Sequence, residues 1–329
     1  MTMRGTKRDA VRVGIIGRGW GERVVAPAFN KTDGCEVVDV VTPRDSSAVE
    51  ALCARSDVDL ISVHSPPFLH LEHVRLAIES GHAVLCDKPF GRNAEDARVM
   101  CDIAEQAGLP AFLNFEHRCD QSRVRLRRLV TDGVIGEPEH VNWTMLLAWT
   151  RVPLRPWGWV FDEGLGGGWL RAAGSHLIDF ARWTFGEITA MSGQMRTTIT
   201  ERPHLDGQQR HCTADDGFVA SLRTERRVTL VIDSSSAAPI ALPPRILVTG
   251  PRGALEVIGE RIVLHDGERT TDMFVPDSDV YDIFTPQQTF AAVIRDALRE
   301  GSVAPTPTFA DGLACVEVMD RLRAGRPQP

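Results

Sequence analysis

The sequence lacks a bilayer-length apolar run, a cysteine pair and a basic cluster, and each absence narrows what the chain can be. No stretch of its 329 residues is apolar over the roughly 20 positions that a membrane helix needs. The N-terminal MTMRGTKRDAVRVG has basic residues but no apolar core of leader length, and it is expected to be a short frayed tail before a first strand. The cysteines, Cys35, Cys53, Cys86, Cys101, Cys119, Cys212 and Cys315, form no CxxC pair. An odd, scattered set reads as reduced thiols in a cytoplasmic protein, not as a disulfide framework or a zinc site. A formal net charge of -7 does not suit a phosphate backbone, so nucleic acid is excluded as a partner. There is no internal repeat and no low-complexity tract. What remains is a chain too long for one core, which predicts two domains.

The first 120 residues alternate strands and helices. VRVGIIG (11–17) is an apolar strand ending in glycine, and GRGWGE then opens a helix. Gly17 and Gly19 form a G-x-G turn that includes Arg18 and is followed by Trp20. One glycine makes the tight turn, the next lets backbone approach a pyrophosphate, and the helix N-terminus supplies N–H donors. The third glycine of this dinucleotide fingerprint should fall at Glu22; Gly21 is one place early. A second strand, CEVVDVV (35–41), ends in Thr42-Pro43-Arg44, where a NAD site usually carries an acid. A hydroxyl and a guanidinium suit a 2′-phosphate better. NADP is therefore the expected cofactor, with NAD the alternative because Asp45 follows. The pattern continues with a helix over 46–56, a strand in LISVHSPPFLH (60–70) that stops at His64, and a helix over 70–81 closed by Gly81. It ends with a strand HAVLC (82–86), a helix over 93–108 and a strand PAFLNFEHR (110–118). This alternation predicts a doubly wound parallel sheet. Ligands bind at the C-terminal ends of such strands. Gly17, Thr42, Arg44, Ser65, Pro66, Asp87, Lys88 and Glu116 all lie there, and His70 closes the Ser65 loop. His64, His70 and His73 lack metal-ligand spacing, and no metal is expected.

The G-x-G start is followed in order by HSPPFLH, CDKPFG, DGVIGEP (132–138), GGGWLRAAGSHLID (166–179) and PTFADG (307–312). Over most of its length the chain thereby resembles the glucose-fructose oxidoreductase / inositol dehydrogenase / rhizopine-catabolism (Gfo/Idh/MocA) family. The resemblance implies a Rossmann domain over 1–120 and an α+β domain over 121–329 with an open, mostly antiparallel sheet. It implies that this sheet pairs subunits into a homodimer or homotetramer. The final helix, near 309–324, is expected to pack back on the Rossmann domain. The resemblance also implies a nicotinamide cofactor between the domains and hydride transfer to or from a small molecule, a sugar, cyclitol or related polyol. The family lysine falls on Lys88 and the family histidine on His176. Three departures stand out. Asp87 replaces the usual glutamate. Ala172 stands where relatives carry an acid, which leaves Asp179 as the carboxylate one helical turn past His176. The stretch 43–59 is too short for an edge strand that relatives carry.

Hydride transfer needs a group that takes the hydroxyl proton and a group that steadies the alkoxide. Ordinary pKa values make His176 the base and Lys88 the oxyanion stabiliser, with exchange of these roles left open. Trp143, Trp149, Trp157, Trp159 and Trp169, with Arg151 and Arg155 among them, either line a pocket or belong to the core; aromatic faces stack on sugars, and arginine binds carboxylate or phosphate. In the pocket reading Trp159 contacts the cofactor, while Lys88, Arg155, Trp157, Ser175, His176 and Asp179 contact substrate. Glu116, with His117 and Arg118 beside it, is a weaker candidate. Past residue 187 the chain reads as an antiparallel meander, then helices over 280–301 and at the end. Two other functions stay open: a lyase or glycosidase that oxidises transiently and recycles bound NAD, and a non-catalytic regulator that binds NAD(P).

Overall fold

The computed structural model describes residues 10–277 and 282–325. In chain order the elements begin with β1 (Val11–Ile16), α1 (Ala26–Asn30), β2 (Cys35–Val41), α2 (Ser46–Cys53), β3 (Leu60–Val63), α3 (His70–Glu79), β4 (Ala83–Cys86), α4 (Ala94–Ala107) and β5 (Ala111–Leu113). There follow α5 (Gln121–Thr131), β6 (His140–Leu146), α6 (Ser175–Phe185), β7 (Ile188–Arg196), β8 (Glu201–Pro203), β9 (Gln209–His211), β10 (Gly217–Thr224) and β11 (Thr229–Ser235). Last come β12 (Arg245–Gly250), β13 (Gly253–Ile258), β14 (Arg261–Asp266), β15 (Arg269–Phe274), α7 (Phe284–Glu300) and α8 (Phe309–Ala324). The first residues of the helix expected over 280–301 lie outside the described residues.

The chain divides into two units. One comprises the chain up to Gly91, then Glu95–Glu116 and Ile283–Gly312; the other comprises Arg92–Ala94, His117–Asp282 and the chain from Leu313. The first unit carries a five-stranded parallel sheet in the order β2-β1-β3-β4-β5. β3 and β4 are buried at every position, as strands covered on both faces must be. Strand order reverses between β1 and β3, and a crevice for ligand opens at such a switch point. β2 is the edge: among the described residues no strand lies beyond it, in agreement with the short stretch 43–59.

The expected boundary near residue 120 is too simple. α7 belongs to the first unit, where Gln288 Nε2 donates to the Lys31 carbonyl (3.1 Å) and Arg295 Nη1 to that of Asp33 (2.6 Å). Its stripe Phe290, Ala291 and Ile294 is buried, and an amphipathic stripe does not announce which surface it will cover. α8 is divided between the units. Gly312 packs against Leu113 and Phe90 in the first unit. Asp320 and Arg323 pair with Arg171 and Asp215 in the second.

The second unit holds an eight-stranded sheet, β15-β14-β13-β12-β6-β11-β10-β7. It is antiparallel except where β6 runs parallel to β11. β6 is therefore a central strand, inserted into what reads in sequence as a simple meander. Its HVNWTML alternates outward and inward, so Trp143 is core, edge-on to Phe180 at 5.5 Å. Trp169 is core as well, its Nε1 bonded to Ser234 Oγ (2.8 Å). The Asp120 carboxylate caps α5 by accepting the Arg123 amide (3.1 Å). No helix among the described residues is long and apolar enough to cross a membrane.

Candidate active site

The G-x-G turn follows β1 at the switch point. Gly17 has φ +145 and donates its amide to the Val41 carbonyl (2.9 Å), and a Cβ on it would stand 2.5 Å from the His64 carbonyl oxygen. Only glycine fits there. At Gly21 a Cβ would stand 2.9 Å from Ile15 Cγ2 and 3.0 Å from His64 Cβ. Gly21 thus makes the close helix–strand approach assigned in the fingerprint to position 22. The turn Gly21–Val25 is π-helical, and a π turn takes up one extra residue, which fits the offset. Gly19 is exposed, and a Cβ there would meet nothing within 4 Å. At Gly19 the backbone of the turn faces open space, as a pyrophosphate site requires. Exposed Arg18 reaches the Val40 carbonyl (3.2 Å) and Glu22 (3.3 Å), and Trp20 is half-buried.

At the tip of β2 Thr42 is half-buried and Arg44 exposed. The Asp45 carboxylate is engaged as the cap of α2, accepting from Ser47 Oγ (2.7 Å) and the Ala48 amide (3.1 Å). Ser47 and the amide together hold its pKa down.

The Asp87-Lys88 tip of β4 rests on a buried network that the residue spacing does not reveal. His64 sits between Ser62 Oγ (2.8 Å from Nε2) and Asp87 Oδ2 (3.1 Å from Nδ1). Asp87 Oδ1 accepts the Lys88 amide (2.9 Å) and Asn114 Nδ2 (3.1 Å). Asn114 and Gln287 of α7 exchange two side-chain bonds (3.0 and 3.3 Å). Burial alone would raise the Asp87 carboxyl, but His64, Lys88 and the Asn114 amide outweigh it and bring it down to about 2. Asp87 is thus a fixed anion in the footing of Lys88. His64 and Asn114 each end a strand, which was the one available signal; Gln287 left none.

Ser65 is buried and Pro66 half-buried. His70, expected on the cofactor, is instead fully enclosed. Its Nε2 pairs with the Ser65 carbonyl (2.7 Å), while His73 Nδ1 meets Ser65 Oγ (2.9 Å). Both imidazoles hold the loop from beneath. Burial pushes His70 from 6.5 down to about 4 and lowers His73 as well. Because the folded pKa lies below the unfolded one, the unfolded chain takes the proton first on acidification. Stability is therefore lost as pH falls from about 6.5 towards 4 and levels off below, by about 3 kcal/mol for His70. Urea unfolding at pH 7 and pH 5 should show about 2 kcal/mol of this loss, and His70→Gln should remove most of it. An unchanged pH dependence in that variant would contradict the assignment.

In the second unit, Ser175 and His176 open α6 and are buried. Asp179, expected at the substrate, is clamped by Arg118 through two bonds (2.9 and 2.5 Å). That placement suits a structural ion pair. The His117 and His176 rings stack, centroids 3.9 Å apart. Half-buried Ala172 binds the Gly168 carbonyl through its amide and offers only a methyl group. The tryptophan segment is held by the β8–β9 hairpin: the Trp157 amide donates to Pro203 (2.7 Å) and its Nε1 to the His211 carbonyl (3.1 Å). Arg155 is exposed and lies over the Trp149 ring at 4.7 Å. Trp159 starts a half-buried 3-10 turn. Glu116, at the end of the first unit, is buried.

Comparison with known proteins agrees with this architecture. Residues 11–115 match the oxidoreductase family with the NAD-binding Rossmann fold, and residues 124–256 match the GFO/IDH/MocA C-terminal domain. Inositol 2-dehydrogenase of Rhizobium meliloti is 25% identical over 327 residues, covering 94% of this chain and 95% of that one. D-apiose dehydrogenase of Paraburkholderia graminis is 28% identical over 292 residues, covering 80% and 72%. Among solved structures, levoglucosan dehydrogenase in complex with NADH and L-sorbose shares the fold, with TM-score 0.84, 20% identity and 97% of each chain covered. The chain belongs to the Gfo/Idh/MocA family of NAD-binding oxidoreductases.

Proposed function

We propose that the chain is an NADP-dependent dehydrogenase or reductase acting on a hydroxyl or ketone of a sugar, cyclitol or related polyol. The observation that carries this reading is the footing of Lys88: an ammonium-bearing residue at the tip of β4, beside a fixed carboxylate, in the same unit as the G-x-G turn. Relatives named for inositol, apiose and levoglucosan support the substrate class. Gly17 to Trp20 would hold the pyrophosphate and Thr42 with Arg44 the adenosine ribose; Ser65, Pro66, Asp87 and Glu116 complete the proposed cofactor contacts. When bound, the nicotinamide supplies or accepts the hydride. Lys88 steadies negative charge on the reacting oxygen, and His176 takes or returns the hydroxyl proton.

The preference for NADP follows from β2. The acid after the strand is engaged as a helix cap, and the guanidiniums of Arg18 and Arg44 are exposed near its tip. Arg44→Ala should cut kcat/KM for NADP about tenfold while changing that for NAD less than twofold, the scale of one charge-assisted phosphate contact. Equal effects on both cofactors would refute the assignment.

The substrate class is tested by nicotinamide absorbance with aldoses, anhydrosugars and cyclitols. Turnover without net absorbance change would assign the recycled-cofactor chemistry instead. We also assign the chain to the cytoplasm, on its seven free thiols. We assign it a homodimer or homotetramer through the eight-stranded sheet, whose strands β7 and β10 alternate exposed and covered positions. Light scattering checks the assembly; a monomer at micromolar concentration would contradict it.

A further inference from the structure

The segment just after the first unit reads one stripe of α6. His176, Asp179 and Trp183 stand at i, i+3 and i+7, on one helix face. His117 lies parallel to His176, interplanar angle 24° and centroids 3.9 Å apart. Arg118, the next residue, grips Asp179 with both arms and sits 5.7 Å over the Trp183 ring. Arg127 of α5 also lies over the Trp183 ring, 4.5 Å from its centroid, and donates to the Trp183 carbonyl (3.0 Å). Asp179 and His176 are buried. A bidentate, buried ion pair and a cation over an indole hold their geometry better than an exposed contact.

We propose that His117 is a positioning residue for His176. This rests on the reading of His176 as the proton-transferring group. The mechanism is geometric. An imidazole can turn about its side-chain bonds, and a nitrogen that must meet a hydroxyl proton needs one ring plane. The flat face of His117 fixes that plane, and the Arg118–Asp179 pair fixes the height of His117 along α6. Asp179, one turn on in the same helix, is held by Arg118, and the His117 ring face lies against His176.

The test uses the full-length chain, NADP(H) and whichever polyol gives the fastest turnover, with three variants. His117→Ala removes the face and should lower kcat about 10- to 100-fold, the scale of a misplaced catalytic group. Cofactor dissociation constant and melting temperature should stay near wild type. His117→Phe restores a flat face and should recover most of the loss. His176→Gln is the control for the underlying reading. A kcat within twofold of wild type in His117→Ala overturns the proposal, as does a His117→Phe variant no better than His117→Ala. Should His117→Ala not fold, the Phe variant still decides: its kcat must stay within a fewfold of wild type. If His176→Gln itself keeps full turnover, the role given to His176 fails; if it is inactive while His117→Ala is normal, only the present inference fails.

Discussion

Replacing Lys88 with methionine should lower kcat on the order of a thousandfold, about 4 kcal/mol of transition-state stabilisation. The side chain keeps its length and apolar stem, so the β4 tip stays intact; what disappears is the ammonium. Asp87 keeps its bonds to His64, Asn114 and the residue-88 amide and loses only the nearby positive charge of Lys88. Cofactor affinity should therefore change little, which separates loss of chemistry from loss of binding. A non-catalytic regulator would have no turnover to lose. Composition offers a route that needs no mutation. The chain holds only three lysines, Lys7, Lys31 and Lys88, and Lys31 is exposed on the far end of α1. Acetylation should abolish turnover in proportion to modification of Lys88 read by mass spectrometry, and bound NADPH should slow that modification. Activity surviving full acetylation of Lys88 would contradict its role.

Gly17→Val should abolish dinucleotide binding, raising the dissociation constant at least about a hundredfold. The residue has φ +145 and its added Cβ would press on the His64 carbonyl at 2.5 Å. That conformation costs a β-branched residue about 3 kcal/mol before any clash is counted. His64 cannot yield freely, because its amide binds Ile16 (2.8 Å) and its ring meets Ser62 and Asp87. The strain therefore reaches the footing of Lys88, so the variant should lose melting temperature as well as affinity. NADPH fluorescence titration and thermal unfolding read the two effects. Wild-type affinity in Gly17→Val would remove the turn from the cofactor site.

The alternating strands and helices of the first unit were legible because parallel strands buried on both faces read as unbroken apolar runs. LISV and AVLC are such runs. The G-x-G turn and the Asp87-Lys88 tip were legible for a related reason: their chemistry lies within a few consecutive residues. What escaped reading was everything joined across distance. Gln287 meets Asn114 across 173 positions, and nothing local to either residue marks the pair. α7 covers α1 with a stripe that would suit any apolar surface. β6 was hidden because HVNWTML, a short alternating strand, lies among tryptophans that suggested a pocket. His70, expected as a cofactor contact, is found buried beneath the loop; its place next to a strand tip is the same whether the ring faces ligand or supports the loop, and only burial separates the two. Asp179 shows the same limit, since its clamp Arg118 lies 61 positions away.

The most direct test of the central claim follows one atom. Wild-type protein with NADP would be given glucose, apiose, levoglucosan and inositol in turn, each deuterated at carbon, and the nicotinamide product examined by mass spectrometry. Hydride transfer predicts that one of these polyols leaves a single deuterium on the nicotinamide ring, and that Lys88→Met leaves almost none. No deuterium on the ring with any of them, or label appearing only in solvent, would contradict the account.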